Sequence, residues 1–358
     1  MAEKHLSDPA PAWAESQGAL RTFAFWGLPT LLGLALAVAL QLLVIFPKMG
    51  AGSADLDRCV ALGSLYANGL SDQPTVVCIG DSVSVEGIDA AILSANAPKG
   101  WRVLNAALNG GDRLEQAVMI PALAKAKPTY VVWVCRAMYL GAPPADLHPD
   151  RAAAYRIADF AQAWPADWLT PQTPGMTAEL VETLTGSKLR SQIHFRTSLT
   201  NAADQKIKSV LKGGSFRTTD PSDWNAPFQM NISIDGKRLE THLEALRTEH
   251  AERIGKGKQP GEFERLVNHL GAAGVRPIIV VAPVHPTIRE RGWFDPEVGE
   301  LKALGAKLAE SHGGILIDAS ELLTAEDFAD GQHPGKTGRE KLSALIGSRV
   351  PTPAGGGN

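Results

Sequence analysis

Short apolar runs alternate along the chain with segments whose apolar residues recur every three or four positions, first over 75–135 and again over 263–346. The runs 75–79, 101–108, 130–135, 277–281 and 314–318 are the length of strands and lack strict polar alternation, so they read as strands buried on both faces. Between them, Ile88, Ala91, Ile92 and Ala95 mark one helix face. The segment 114–125 marks a second helix, with Pro121 in its middle, and 263–270 a third. Val298, Leu301, Leu304 and Leu308 line a fourth, and 337–346 reads as the last. This order predicts the α/β class: a parallel sheet covered by helices on both faces, a three-layer α/β/α arrangement.

The alternation stops between 141 and 260. That stretch begins rich in Pro and Trp (Trp164, Trp168, Pro171, Pro174) and then turns helical and irregular. It is too long for a plain loop and predicts a large, mostly helical insertion, a lid or subdomain. At the other end, 22–47 contains no charged residue, which predicts one transmembrane helix. The segment before it carries Glu3, Asp8 and Glu15 beside Lys4 and Arg21, unlike the basic start of a cleaved signal peptide. Arg21 and Lys48 balance across the apolar segment, so charge does not set its orientation. The expected organisation is a short cytoplasmic segment over 1–21, a span over 22–47 and a stalk over 48–73. A domain over 74–348 and a disordered Pro- and Gly-rich tail over 349–358 complete it. The stalk shows helical spacing at Leu56, Val60, Leu62 and Leu65.

Net charge is −3, and no basic tract interrupts the 358 residues, which argues against nucleic acid as a partner. The three cysteines, Cys59, Cys78 and Cys135, are spaced too widely for a disulfide framework or a zinc ligand set. Neither a metal nor another cofactor is implied.

Two short motifs concentrate the candidate chemistry. Gly80-Asp81-Ser82 follows the first strand, which places a hydroxyl at the edge of a parallel sheet where ligands bind. Asp330-Gly331-Gln332-His333-Pro334 precedes the last helix and supplies an imidazole with a carboxylate three residues before it. Nucleophile, base and orienting acid are the parts of acyl transfer through a covalent intermediate. The string Gly-Asp-Ser-Val-Ser lacks the second glycine of the Gly-x-Ser-x-Gly elbow, which disfavours an ordinary α/β-hydrolase.

With Asn105-Ala106-Ala107-Leu108-Asn109-Gly110 between them, these motifs resemble the SGNH (GDSL-type) hydrolase superfamily. The likeness covers 75–140 and 275–346, leaves the middle stretch unaligned and implies a flavodoxin-like fold. It implies Ser82 as nucleophile, His333 as base and Asp330 as its orienting acid, with the N–H groups of Ser82 and Gly110 in an oxyanion hole. One block departs from the pattern. Where the family carries an oxyanion Asn after the third strand, this chain has Arg136-Ala137-Met138-Tyr139, with Met138 at the Asn position. Arg136 and Asn109 are the nearest candidates to replace that donor. Among SGNH-like proteins the departure resembles membrane-anchored acyltransfer proteins of cell-envelope polymers.

The expected function is therefore a single-pass inner-membrane O-acyltransferase or esterase with its domain on the periplasmic side. Its partners would be an acyl donor, a polysaccharide or other hydroxyl acceptor and a membrane-bound O-acyltransferase. A tethered esterase or lipase and a non-catalytic scaffold of a polymer-secretion complex are the alternatives. His285, after the fourth strand, reaches the same edge and is a weaker substrate-binding candidate beside Asn109 and Arg136. Arg289 and Arg291 suit an anionic group, and Trp164, Trp168, Trp224 and Trp293 could stack on sugar rings.

Overall fold

A computed structural model describes residues 27–40, 54–70, 73–142, 147, 149–173, 175–188, 190–191 and 236–353. The chain divides into two units, 1–52 and 53–358. In the first, helix α1 (Leu28–Leu40) is apolar all round, and Leu28, Leu31, Leu32, Leu34 and Leu36 are all more than half exposed. At 13 residues it is about 20 Å long, short of a hydrocarbon core of about 30 Å. Among the described residues no helix is long and apolar enough to cross a membrane. The rest of the predicted span, at 22–26 and 41–47, lies outside them.

The second unit is built on five parallel strands: β1 (Thr75–Ile79), β2 (Arg102–Asn105), β3 (Tyr130–Cys135), β4 (Arg276–Val281) and β5 (Ile315–Asp318). Their order is β2-β1-β3-β4-β5. The chain thus steps outward from β1 to β2, then returns past β1 to β3. A crevice opens at that reversal, outside the carboxyl ends of β1 and β3. Register sets Ile79, the last residue of β1, beside Trp133, so β3 runs two residues further and ends level with β4, where Cys135 lies beside Val281.

Helices cover both faces, as buried runs in a parallel sheet require. Val76, Cys78, Val132, Val134, Ile278 and Val280 pack in one core with Leu93 and Leu342. These last come from α4 (Ala90–Asn96), which follows α3 (Ser82–Gly87), and from α12 (Lys336–Arg349). The opposite face meets α5 (Arg113–Ala126), α9 (Pro260–Ala272) and α11 (Asp295–Ser311), for example where Trp133 packs on Phe263 with ring centroids 4.9 Å apart. The three cysteines are buried and free.

Two expectations change, and the helix expected over 114–125 is present. The segment read as a stalk forms α2 (Ala54–Ala67), which packs into the domain with Cys59, Leu62 and Tyr66 buried. Its Arg58 donates to the carbonyls of Asn105 and Ala107, 3.0 Å to the latter, bracing the loop after β2. That strand ends at Asn105 instead of reaching 108. Helix α5 runs unbroken through Pro121, whose missing N–H leaves the Ala117 carbonyl without its usual helical donor. The Trp168 indole N–H bonds that carbonyl at 2.7 Å, and the Trp164 indole bonds Val118 O at 2.9 Å.

Within 141–260, the described helices are α6 (Pro149–Ile157), α7 (Ala178–Thr185) and α8 (Gly236–Gly255), with 192–235 outside the described residues. Helix α8 reaches the motif at 330–334. A Cβ at Gly331 would come within 2.5 Å of the Leu243 side chain, so a larger residue there would have to displace that leucine.

Candidate active site

The turn after β1 exists because of Gly80. Its φ of +140° is open to glycine, and a Cβ there would lie 2.0 Å from Ser84 Oγ. Asp81 then caps α3, its Oδ1 accepting the Val83 N–H at 2.9 Å. Ser82 follows as the first helical residue, half-buried at the sheet edge.

Its Oγ–H donates to His333 Nε2 at 2.8 Å. His333 Nδ1–H donates to Asp330 Oδ2 at 2.7 Å. The other carboxylate oxygen, Oδ1, accepts the backbone N–H groups of Gln332 at 2.9 Å and His333 at 2.7 Å. Burial works against charge on Asp330, but the imidazole and then these backbone donors outweigh it and hold the carboxyl below its ordinary value. An ionised Asp330 keeps the proton on Nδ1, which leaves Nε2 as acceptor. The chain of contacts can take the Ser82 proton as its oxygen attacks an electrophile. Ser82, His333 and Asp330, separate in sequence, meet here.

The histidine loop is held from behind. Ala329 N–H bonds His333 O at 2.8 Å, and Gly335 N–H bonds Asp327 O at 2.7 Å. The Asp327 carboxylate takes Thr324 N–H at 2.9 Å, Thr324 Oγ1–H at 3.0 Å and Lys341 Nζ at 2.7 Å. Burial opposes that charge, yet Lys341 and the threonine donors prevail and depress its pKa from 3.8 to about 2. A depressed carboxyl stabilises the fold fully above its unfolded pKa and loses that contribution as pH falls through the folded value. Asp327→Asn is therefore expected to cost roughly 2 kcal/mol at neutral pH. In melts from pH 7 to pH 2 the gap between variant and wild type should close between pH 3.8 and about 2. A gap independent of pH would refute this role.

Arg136, which follows β3, is committed elsewhere than a free donor. Its Nε lies 2.6 Å from Asp81 Oδ2, and its Nη1 donates to Gln332 Oε1 at 2.9 Å. Gln332 Nε2 is in turn 3.5 Å from His333 Nε2. One guanidinium thus joins the serine turn to the histidine loop. Gly110 turns the chain after β2 with φ of +65°, and the Asn109 carbonyl accepts from Arg151. Asn105, at the end of β2, anchors that loop to α3 by donating to Ile88 O at 3.0 Å and accepting Ala107 N–H at 3.2 Å. Met138 is buried in the turn 137–140, against an apolar cavity.

The remaining candidates have structural partners. His285 is buried and caps α10 (Pro286–Glu290), its Nδ1 accepting Thr287 N–H at 3.3 Å. Burial first, then Arg289, holds its pKa below the ordinary histidine value. Arg291 pairs with Glu240 at 2.7 Å, and Arg289 lies 3.9 Å from Glu321. Trp293 sits under the guanidinium groups of Arg291 and Arg247 at 4.8 and 5.3 Å. Trp164 and Trp168 donate to α5 as described, and Trp224 lies outside the described residues.

Sequence reasoning missed Gln332, hidden as the variable position of its own motif, and His242 on α8. The His242 Nε2 is 3.9 Å from Asp330 Oδ2, but it belongs to the insertion, where no motif flagged it. No group of three or more His, Cys, Asp or Glu suited to a metal ion occurs among the described residues. Neither a scan against family models nor a search of curated proteins returns a match for the chain.

Proposed function

We propose that this protein is a serine-dependent O-acyltransferase or esterase of the SGNH type. The observation that carries the reading is the continuous chain Ser82–His333–Asp330 at 2.8 and 2.7 Å, set at the sheet's reversal point. Ser82 Oγ attacks the carbonyl carbon of a donor ester while His333 Nε2 takes its proton. The bond to the donor's leaving oxygen breaks, and His333 returns the proton to that oxygen. An acceptor hydroxyl then attacks the acyl-serine, gives its proton to His333, and restores the Ser82 hydroxyl as the new ester departs. Water as acceptor makes the same cycle a hydrolysis. Backbone N–H groups of Ser82 and Gly110 would face the oxyanion, with Met138 supplying no third donor.

Transfer is favoured over hydrolysis by that missing donor. One such group is worth about 2.7–4 kcal/mol of transition-state stabilisation, so a site without it suits a slow, acceptor-dependent reaction. The resemblance supplies the acceptor class, a hydroxyl of an envelope or exported polysaccharide, and the partner class, a membrane-bound O-acyltransferase. The charge-free stretch 22–47, with exposed leucines on α1, supports a membrane anchor and a domain outside the cytoplasm.

Two measurements test the reading. Full-length protein given an activated acetyl ester should hydrolyse it slowly, and an added oligosaccharide should collect acyl groups in preference to water. Fast hydrolysis with no acyl-sugar would make it an esterase, and inertness with every ester would refute enzymatic function. The full-length protein should also stay with membranes through high-salt washing, and recovery in the wash would remove the anchor.

A further inference from the structure

The loop after β2 is gripped by an arginine from the insertion. Helix α5 begins directly after that loop, with Asp112 as its cap and Glu115 in its first turn. Arg151, on α6, forks onto this glutamate, its Nε 2.5 Å from Oε1 and its Nη2 2.9 Å from Oε2. Both side chains are largely sequestered, at 16 % and 4 % exposure. The remaining Nη1 donates to the Asn109 carbonyl. With two corners of the planar guanidinium fixed by the carboxylate, the third has one direction left.

The carbonyl held in this way belongs to the same peptide unit as the Gly110 N–H. A trans peptide is planar, and its C=O and N–H point in opposite directions. Anchoring the oxygen on Arg151 therefore turns the Gly110 N–H away from that arginine. Residues on either side of this peptide lie against the serine turn. Leu108 N–H bonds Gly80 O at 3.2 Å, and a Cβ on Gly111 would come 2.9 Å from the same oxygen. Among the described residues no acceptor takes the N–H of Gly110 or of Ser82. Gly110 has φ of +65°, and glycine tolerates either sign of φ, so this peptide would flip readily without an anchor. A cation on the carbonyl also polarises the amide, which makes its N–H a stronger donor.

We propose that Arg151, aimed by Glu115, is a positioning residue of the oxyanion hole. It holds the Gly110 N–H toward Ser82 and strengthens it, offsetting in part the donor that Met138 does not supply. The proposal rests on the acyl-transfer reading of Ser82, and it gives the first helix of the insertion a task in the chemistry.

The test follows an activated acetyl ester on full-length wild type, Arg151→Met, Arg151→Lys, Glu115→Gln and the double variant Arg151→Met with Glu115→Gln. Phenylboronic acid, which adds to a serine hydroxyl as a tetrahedral adduct resembling the intermediate, reads the hole directly. Fluorophosphonate labelling carried to completion counts intact sites. Loss of a whole donor of this kind costs about 10²–10³ in kcat, so loss of its anchor should cost about ten- to hundredfold. Arg151→Met should show that fall in kcat per labelled site and a like fall in boronate affinity, with KM little changed. Arg151→Lys, which keeps the charge but not the fork, should recover part of it. Glu115→Gln should lose less, and the double variant no more than Arg151→Met alone, since the glutamate acts through the arginine. A merely structural contact would instead lower the labelled fraction and the melting temperature, leaving kcat per labelled site and boronate affinity at wild-type values. That result overturns the proposal and leaves the acyl-transfer reading standing. If Arg151→Met does not fold, Arg151→Lys and Glu115→Gln decide, and wild-type kcat and boronate affinity in both refute the proposal. Wild type that neither labels nor turns over any ester takes down the two together.

Discussion

Ser82→Ala should lower turnover of an activated ester by about 10⁶-fold and abolish fluorophosphonate labelling, with the melting temperature little changed. Ser82 is half-buried, and its side chain's one hydrogen bond among the described residues, to His333, is the reactive contact, so removing it disturbs little packing. His333→Ala should fall as far, because nucleophile and base act as a unit. Asp330→Asn is more informative, since the structure fixes how an asparagine would sit. Two backbone N–H groups, from Gln332 and His333, require an oxygen at the Oδ1 position. The amide NH2 must then face His333 Nδ1. An N–H pointing at that nitrogen forces the ring to the tautomer protonated on Nε2, which can no longer accept the Ser82 proton. The expected loss is about 10⁴-fold, recovering as pH rises and hydroxide replaces the general base. Stopped-flow measurement of acyl-enzyme formation, with thermal melts as control, checks all three. Ser82→Ala that still labels would overturn the assignment.

Much of the sheet is legible because burial on both faces leaves an unambiguous mark. The runs 75–79 and 130–135 coincide with β1 and β3, since each has sheet on both sides and helices above and below. The run 101–108 is equally apolar at its end, yet the regular strand stops at Asn105, and Ala106, Ala107 and Leu108 are buried beyond it, with Ala106 N–H on Cys78 O at 2.8 Å and Leu108 N–H on Gly80 O at 3.2 Å. Hydrophobicity reports burial and not regular backbone pairing, so it cannot place the strand's end. Pro121 lies in the middle of the helix read over 114–125, and only the tertiary contact of the Trp168 indole shows what takes up the carbonyl it leaves free. The 54–67 segment has the spacing of any amphipathic helix, and nothing local says whether the partner of its apolar face is the domain or another chain.

The site divides in the same way. Ser82, Asp330 and His333 are legible because their motifs encode short-range geometry: a glycine turn before the serine, and an acid spaced to bond both the ring and the backbone of the histidine loop. Arg136, Gln332 and His242 act across 55, 196 and 88 positions of sequence, and no periodicity carries such pairings. Arg136 is the clearest case. Its place in a block that departs from the family pattern suggested a replacement oxyanion donor, whereas the structure pairs its charge with Asp81 and gives an N–H to Gln332.

Arg136→Met should therefore damage stability and catalysis together. Asp81 is 1 % exposed, and its Oδ2 faces the guanidinium at 2.6 Å. Methionine keeps much of the volume but leaves a buried carboxylate without its counter-charge, a change that typically costs about 3–5 kcal/mol. For a domain of this size that lowers the melting temperature on the order of 10 °C. Asp81 also caps the helix that carries Ser82, and Gln332 loses the donor that orients its amide beside His333. Turnover should fall by about tenfold or more even well below the melting point, since misplacement by about 1 Å is enough for losses of that order. Arg136→Lys separates the two effects. It keeps the charge beside Asp81 but cannot fork to Gln332 as well, so stability should largely return while turnover stays low. The double variant Arg136→Met with Asp81→Asn should recover part of the lost stability, because the uncompensated charge is gone. Thermal melts and steady-state rates on the four proteins decide it. An Arg136→Met variant as stable and as active as wild type would show that the guanidinium joins nothing of consequence.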